Sequence, residues 1–225
     1  MKKKEVIHSK FAFEYSDDEE EEEEKKAPEF GLRECWDNRY SNENGNYDWY
    51  FEWPRVAPLL KKYIKSKNET LVIGCGNSTM SADLLKDGFH TVTNIDISPV
   101  VIKKMQKIYQ NEKKLKWEVM NATALDFFDN TFDVVFDKGT IDAIICHEKG
   151  TEMVAQTLTE VHRVLKVDGK FIVITFESPS KRLKIFKLVK LDWKLLPPLN
   201  LCAGDDDDTM IYVYIFEKTK HSQND

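Results

Sequence analysis

Two short segments of the chain combine residue types that could hold a nucleoside. A brief apolar run leads into the turn G-C-G-N-S at residues 74–78, and Asp96 stands at the end of the next apolar run. Glycines let a ligand approach the backbone because no Cβ stands in the way. A carboxylate at the tip of the following strand can accept hydrogen bonds from both ribose hydroxyls. Gly74, Gly76, Asn77 and Asp96 are therefore predicted to bind a nucleoside cofactor.

The next position in the turn separates two kinds of cofactor. A dinucleotide-binding turn has a third glycine where this chain has Thr79, so the pyrophosphate fingerprint is incomplete. S-adenosylmethionine has no phosphate, and it needs only glycine-lined backbone and an acid for its ribose. The sequence predicts S-adenosylmethionine as the cofactor, although a G-x-G turn alone also occurs by chance.

Length and composition limit the class of protein. The chain has 225 residues, of which 41% are hydrophobic, enough for one α/β domain with a sizeable core and tails. No segment approaches the roughly 20 apolar residues of a membrane span, and no apolar stretch follows the basic start. The four cysteines are far apart, without the spacing of a zinc site or a disulfide framework. We expect a cytoplasmic protein without a membrane segment and without a metal.

The charges are concentrated in two acidic runs. Residues 17–24 are eight consecutive acids and residues 205–208 are four, and without them the basic residues outnumber the acidic ones. Such runs repel themselves and cannot pack, so we expect both runs to be solvated and disordered. Residues 1–27 are expected to form a disordered acidic tail, and residues 219–225 a second disordered tail. A tether for a basic partner is the functional alternative for these runs.

Strand-like and helix-like segments alternate between the two tails. This order predicts one α/β domain over residues 28–218, with helices on both faces of a mostly parallel sheet. The order of its elements resembles the seven-stranded Rossmann-like fold of class I S-adenosylmethionine-dependent methyltransferases. A short loop without a helix joins the last two strands, so the last strand is expected to run antiparallel. The predicted strands are 70–73, 91–95, 115–119, 132–136, 170–176, 193–197 and 210–217. Ser98 and Pro99 predict the start of the helix after the second strand, and a basic helix is predicted near residues 180–190.

An aromatic segment, residues 28–53, precedes the first strand. It contains Trp36, Tyr40 and Trp49 with polar residues between them. Such residues are often core aromatics of an N-terminal helix. Aromatic faces also attract a sulfonium cation, which favours a lid over the cofactor.

Several motifs give this chain a specific resemblance. Residues 35–40 (C-W-D-N-R-Y) and 47–50 (Y-D-W-Y), the glycine turn, residues 132–143 (F-D-V-V-F-D-K-G-T-I-D-A) and residues 161–170 match one family in the same order. Over roughly residues 30–217 the chain resembles the elongation factor 1-alpha lysine methyltransferases, a class I S-adenosylmethionine-dependent family that includes methyltransferase-like protein 13 and small single-domain relatives. The aromatic pair and D-K-G-T-I-D carry the specificity of this resemblance.

The resemblance implies a set of cofactor contacts. Asn121 stands where the family has Asp, and its amide can still donate to adenine nitrogens and accept from the adenine amino group. Cys35 replaces a tyrosine at the outer edge of the lid. The implied contacts are Trp36, Tyr40, Trp49, Gly74, Asp96, Ile97, Asn121, Ala122 and Lys138.

The motif after the fourth strand narrows the acceptor. Enzymes that methylate amino groups of DNA or RNA bases carry Asp or Asn before Pro-Pro-aromatic there, whereas this chain has D-K-G-T at residues 137–140. No cysteine follows a proline as cytosine C5 chemistry requires, and the double-glutamate loop of arginine methyltransferases is missing. The sequence therefore favours a protein partner and no direct nucleic acid.

We expect a lysine ε-amine as acceptor, and the resemblance implies elongation factor 1-alpha as the protein. Asp142 and Glu177 are candidates to take the lysine proton, although Asp142 could instead form a surface ion pair with Lys138. A small-molecule methyltransferase of the same fold is the alternative. A non-catalytic module that binds the cofactor is a third reading, which the intact glycines and Asp96 disfavour. The oligomeric state stays open.

Overall fold

The computed structural model describes residues 30–64, 69–204 and 207–220. The predicted tail over residues 1–27, its acidic run and most of the second tail lie outside these ranges, as do residues 205–206 of the second acidic run. The expected disorder of that run is wrong for Asp207 and Asp208, which belong to a strand. The strands are β1 (Glu69–Ile73), β2 (Thr91–Asp96), β3 (Leu115–Val119), β4 (Phe132–Lys138), β5 (Leu165–Thr175), β6 (Trp193–Leu195), β7 (Leu199–Gly204) and β8 (Asp207–Lys218). The helices are α1 (Arg33–Asn42), α2 (Trp53–Leu60), α3 (Met80–Lys86), α4 (Pro99–Ile108), α5 (Thr140–Ile144), α6 (Gly150–Val164) and α7 (Pro179–Phe186).

One sheet of eight strands organises the described residues. Its order is β3-β2-β1-β4-β5-β8-β6, and β7 also pairs with β8. The pairs among β1 to β5 are parallel, whereas β8 runs antiparallel to β5. The expected fold class is confirmed, including the antiparallel last strand.

Strand β7 is an addition to the seven predicted strands. Its residues follow Pro197 and Pro198, which cannot donate to a sheet, and it pairs with β8 alone. Thr175 at the end of β5 lies opposite Tyr212 of β8. The first residues of β8 therefore extend past the carboxyl end of β5, and the β7–β8 hairpin projects from that edge of the sheet.

Two apolar layers cover the sheet. Alternate residues of the buried strands face opposite sides, as in Val72 and Phe136 on one side and Leu71 and Val135 on the other. Helices α2, α3 and α4 pack on the first side, and α5, α6 and α7 on the second. The strands are apolar on both faces because helices cover both. None of the helices in the described residues is long and apolar enough to cross a membrane.

Local signals set the ends of several helices. Ser98 caps α4 by accepting a hydrogen bond from the Val101 backbone N–H at 3.4 Å, and Pro99 occupies the first turn. Gly88 follows α3 with a φ of +89° and returns the chain to β2. Helix α7 ends at Phe186, several residues before the predicted end of the basic helix near residue 190.

Candidate functional site

A pocket opens at the carboxyl ends of β1, β2 and β4. The glycine turn and the segment from Phe30 to Trp49, which includes α1 and belongs to the predicted lid, both line it. This is where open α/β sheets bind ligands, because the connections diverge there. The pocket is lined by Trp36, Tyr40, Trp49, Gly74, Gly76, Asn77, Asp96, Ile97, Met120, Asn121, Ala122, Lys138, Gly139, Thr140, Ile144 and Met153, with their neighbours in the turn and lid.

Both glycines of the turn have left-handed backbone conformations. Gly74 has a φ of +56° and Gly76 a φ of +53°. A Cβ on Gly74 would overlap the side chain of Thr140, and one on Gly76 would lie 2.9 Å from the Tyr40 hydroxyl. The turn therefore requires glycine for close approach of α5 and the lid, as well as for an open backbone at the ligand.

Asp96 is the acid at the end of β2. Its carboxylate accepts hydrogen bonds from the backbone N–H groups of Gly76 and Ser98, each at 2.9 Å. Burial raises the pKa of Asp96 to about 6, although these backbone bonds oppose the shift. The turn and the acid thus hold each other in place, and the remaining lone pairs of the carboxylate can accept ribose hydroxyls.

Helix α1 brings the predicted aromatic residues to the pocket. The rings of Trp36 and Tyr40 stack at 5.8 Å, and Trp49 meets Trp36 edge-on at 6.4 Å. The Arg39 guanidinium lies over the outer side, 4.8 Å from the Trp49 ring and 4.9 Å from that of Tyr47. Tyr40 is buried, while Trp36 and Trp49 are half-buried. The structure therefore places all three on the pocket wall, with Tyr40 also part of the core.

Asn77 and Asn121 hold loops around the pocket. The Asn77 amide donates to the Glu43 carboxylate at 3.2 Å and to the Gly45 carbonyl at 3.0 Å, both in the lid. The Asn121 side-chain oxygen accepts the Thr123 N–H at 3.0 Å. The amide nitrogen of Asn121 is then the group that can donate to a base.

Lys138 at the end of β4 is already paired. Its ammonium lies 2.6 Å from the Asp48 carboxylate and donates to the Trp49 carbonyl at 3.2 Å. Burial alone would raise the pKa of Asp48, but Lys138 and the hydroxyl of Ser78 hold it below its usual value. Sequence reasoning singled out Lys138 and missed its partner, although Asp48 stands inside the Y-D-W-Y motif.

Asp142 points into the protein and away from the crevice. Its carboxylate accepts the Tyr50 hydroxyl at 2.8 Å and the Thr175 hydroxyl at 2.7 Å, and it forms an ion pair with Arg182. Burial raises the pKa of Asp142, while Arg182 opposes the shift. Asp142 does not line the pocket and forms no pair with Lys138.

Glu177 lies just beyond β5, at the same edge of the sheet. Its side chain is 23% exposed, accepts the Ser178 N–H at 3.1 Å and lies 3.7 Å from the Lys181 ammonium. Glu177 also stands outside the pocket wall. The two predicted carboxylates therefore differ: one is enclosed, and the other reaches solvent.

The donor set of the pocket fits S-adenosylmethionine. Lys138 is the one cationic side chain on the described wall, and Asp48 neutralises it. A pyrophosphate would lack a free cation there, whereas a sulfonium meets aromatic faces and a ribose meets Asp96. No group of metal-ligating side chains occurs in the described ranges, and no disulfide links the four cysteines, all of which are described.

Comparison with known proteins agrees with this geometry. The chain matches the methyltransferase domain family over residues 71–173. The N-methyltransferase NodS of Bradyrhizobium japonicum, solved with S-adenosyl-L-homocysteine, superposes with a TM-score of 0.65 over 84% of this chain and 98% of that one. At 13% identity this likeness establishes the fold alone. Fold, pocket and domain match define a class I S-adenosylmethionine-dependent methyltransferase, with S-adenosylmethionine as methyl donor.

Closer relatives define the family within this class. EEF1A lysine methyltransferase 4 of Mus musculus is 38% identical over 172 residues, which cover 72% of this chain and 68% of the relative. The Bos taurus protein of the same name is 36% identical over 187 residues and covers 76% and 73%. The human eEF1A lysine and N-terminal methyltransferase is 38% identical, but the match spans only 22% of that longer protein. The chain belongs to the eEF1A lysine methyltransferase family.

Proposed function

We propose that this enzyme transfers a methyl group from S-adenosylmethionine to a lysine ε-amine of translation elongation factor 1-alpha. The observation that carries the proposal is a pocket that combines the buried acid Asp96 with the aromatic side chains of residues 30–49, in a chain 38% identical to an EEF1A lysine methyltransferase over 172 residues. The names of the relatives supply the substrate protein. A translation factor as substrate supports a cytoplasmic location.

The cofactor supplies a methyl group on a positively charged sulfur, and the protein supplies its position. In this proposal Asp96 accepts the ribose hydroxyls, and the Asn121 amide lies at the adenine with Ile97 and Ala122 as apolar walls. The lid rings exclude water from the sulfonium end and stabilise its charge. Holding acceptor and methyl in line is the main catalytic contribution.

The acceptor lysine must lose its proton before attack. Its nitrogen lone pair then forms the new N–C bond while the C–S bond breaks, and the electron pair stays on sulfur. We assign the proton to Glu177, directly or through water, because its carboxylate is partly exposed beside the crevice. Asp142 is enclosed by Tyr50, Thr175 and Arg182, so we assign it the role of holding these side chains in place. Glu177→Gln should lower turnover and change its pH profile, with S-adenosylhomocysteine affinity unchanged.

A labelling experiment tests the proposed function. Purified enzyme is incubated with methyl-labelled S-adenosylmethionine and purified elongation factor 1-alpha, and the modified residue is located by mass spectrometry. The expected result is label on one lysine, lost when that lysine is changed to arginine. Total RNA and a protein-free metabolite extract are assayed in parallel. Label in the extract with none on protein would replace this proposal by a small-molecule methyltransferase.

A further inference from the structure

Trp49 of the pocket wall lies between Asp48 and Tyr50, and the side chains of both neighbours form hydrogen bonds with residues of the sheet and its turns. On one side, Asp48 accepts from the Lys138 ammonium at 2.6 Å, from the Thr79 N–H at 3.2 Å and from the Ser78 hydroxyl. The side chains of Asp48 and Lys138 are 9% and 7% exposed, so little solvent competes for this pair. The aromatic segment is thus bound to the glycine turn and to the end of β4 at one residue.

On the other side of Trp49, Tyr50 is held in an unusual backbone conformation. Its φ is +65°, in the left-handed region that residues with a side chain rarely adopt. Its hydroxyl donates to Asp142 at 2.8 Å, and its ring covers Gly139, where a Cβ would lie 3.3 Å from the ring. Gly139 itself has a φ of +85°. The turn between β4 and α5 is therefore shaped to receive the Tyr50 ring.

Asp142, which accepts the Tyr50 hydroxyl, is itself held by further contacts. Asp142 is also held by Thr175 at the end of β5 and by Arg182 of α7, and the side chains of the ion pair are 1% and 3% exposed. The Arg182 Nε has no hydrogen-bond partner among the described residues. A buried ion pair with an unsatisfied donor contributes little net stability, which points to a role in holding one geometry.

We propose that Asp48 and Tyr50 are positioning residues that interlock with Lys138 and Asp142 and so fix the Trp49 indole over the cofactor. The Y-D-W-Y and D-K-G-T-I-D motifs then form one structural unit, although they are far apart in the chain. Opening the lid at Trp49 requires both anchors to break, so the interlock sets the rate at which the cofactor product leaves. The inference rests on the proposed cofactor site and is independent of the lysine substrate.

The test measures the dissociation rate of S-adenosylhomocysteine by stopped-flow displacement from the full-length protein. Tyr50→Phe removes one hydroxyl, and Asp48→Asn removes one charge from the pair. Each change should raise the dissociation rate roughly tenfold, since each one removes or weakens a hydrogen bond to a charged group. In methyl transfer, KM for S-adenosylmethionine should rise more than kcat falls.

Two matched variants control for general destabilisation. Tyr214→Phe removes a buried hydroxyl that donates to the Glu177 carbonyl at 2.9 Å, and Asp133→Asn breaks an ion pair with Lys166 at the opposite edge of the sheet. Neither should change the dissociation rate. Unchanged dissociation in Tyr50→Phe, or an equal rise in Tyr214→Phe, would overturn the interlock. Because the dissociation measurement uses no methyl acceptor, its failure is distinct from failure to label elongation factor 1-alpha.

A double substitution sharpens the test. Tyr50→Phe removes the hydrogen bond from the Tyr50 hydroxyl to the Asp142 carboxylate, and Asp142→Asn removes the charge that strengthens the same bond. Their effects on dissociation should therefore be less than additive. Should Asp142→Asn fail to fold, as judged by near-ultraviolet circular dichroism, the Tyr50→Phe result decides alone. Full additivity would mean that the Tyr50 hydroxyl and Asp142 act separately, contrary to the proposal.

Discussion

At the carboxyl edge of the sheet, two buried acids, Asp96 and Asp137, accept hydrogen bonds from backbone N–H groups, whereas two acids at the amino edge are paired with lysines. Asp96 accepts from the turn, and Asp137 accepts from the Thr140 and Ile141 N–H groups at 3.0 Å. Burial raises the pKa of Asp96 to about 6 and that of Asp137 to about 7. In the part of the chain that the structure describes, neither Asp96 nor Asp137 forms an ion pair with a lysine or arginine.

The amino edge of the same sheet has the opposite arrangement. Asp133 at the start of β4 lies 3.1 Å from the Lys166 ammonium, and Glu217 at the end of β8 lies 2.7 Å from that of Lys170. These four side chains are between 10% and 38% exposed. Partly solvated ion pairs of this kind contribute at most about 1 kcal/mol to the free energy of unfolding.

This difference indicates that the carboxyl edge of the sheet has a function besides folding. A carboxyl whose pKa is raised on folding binds its proton more tightly in the folded state, so its ionisation lowers stability. That loss begins above the usual pKa near 3.8 and is complete above about 6 for Asp96 and about 7 for Asp137. Groups that cost stability in the free protein and line or support a pocket are typical of functional sites.

The largest expected effect comes from Asp96→Asn. The change removes the charged group that we propose as the acceptor for the ribose hydroxyls, so S-adenosylhomocysteine should bind roughly 10- to 100-fold more weakly. Isothermal titration calorimetry measures the affinity, and circular dichroism checks the fold. An affinity within threefold of the unmodified protein would show that the carboxyl edge is not specialised through this acid.

The pH dependence of cofactor binding should follow Asp96. Ribose hydroxyls favour the ionised carboxylate, so affinity should be constant well above pH 6 and about tenfold lower at pH 5. Titrations in two buffers of different ionisation enthalpy should show proton release near pH 6. The residual affinity of Asp96→Asn should be flat with pH, and a flat profile in the unmodified protein would contradict the assignment.

A smaller effect is expected when Gly76 is changed to Ala. The φ of +53° and the Tyr40 hydroxyl 2.9 Å from the new Cβ should together cost about 1–2 kcal/mol and weaken cofactor binding several-fold. Gly88→Ala at the amino edge has a φ of +89° with open space around it, so it should lose stability and keep affinity. Adding Tyr40→Phe should restore part of the loss at Gly76, and no recovery would show that backbone strain alone is responsible.

The smallest effect belongs to the amino edge. Asp133→Asn removes its ion pair with Lys166 but keeps an oxygen for the Glu69 N–H, which lies 2.9 Å away. Urea unfolding should show a loss of at most about 1 kcal/mol, and cofactor affinity should not change. A clear change in affinity would mean that the two edges are coupled and that the contrast between them fails.

Local sequence was sufficient for most elements of the fold. Strands β1, β2 and β4 are apolar runs bounded by turns. Ser98 is the N-cap of α4, and Pro99 is its first residue. Strand β7 was not foreseen because it exists only through its pairing with β8. The end of α7 also differed, since basic residues continue beyond Phe186 without further helical hydrogen bonds to support them.

The sequence by itself determined the type of cofactor, because a glycine turn and an acid at the next strand end act through residue types and backbone freedom. Only the tertiary structure decided what Lys138 and Asp142 do. Their partners Asp48 and Tyr50 lie 90 and 92 positions away along the chain. Side-chain direction, burial and protonation depend on the neighbours that folding brings together, and packing at the carboxyl edge turned Asp142 away from the crevice and joined the lid to the end of β4.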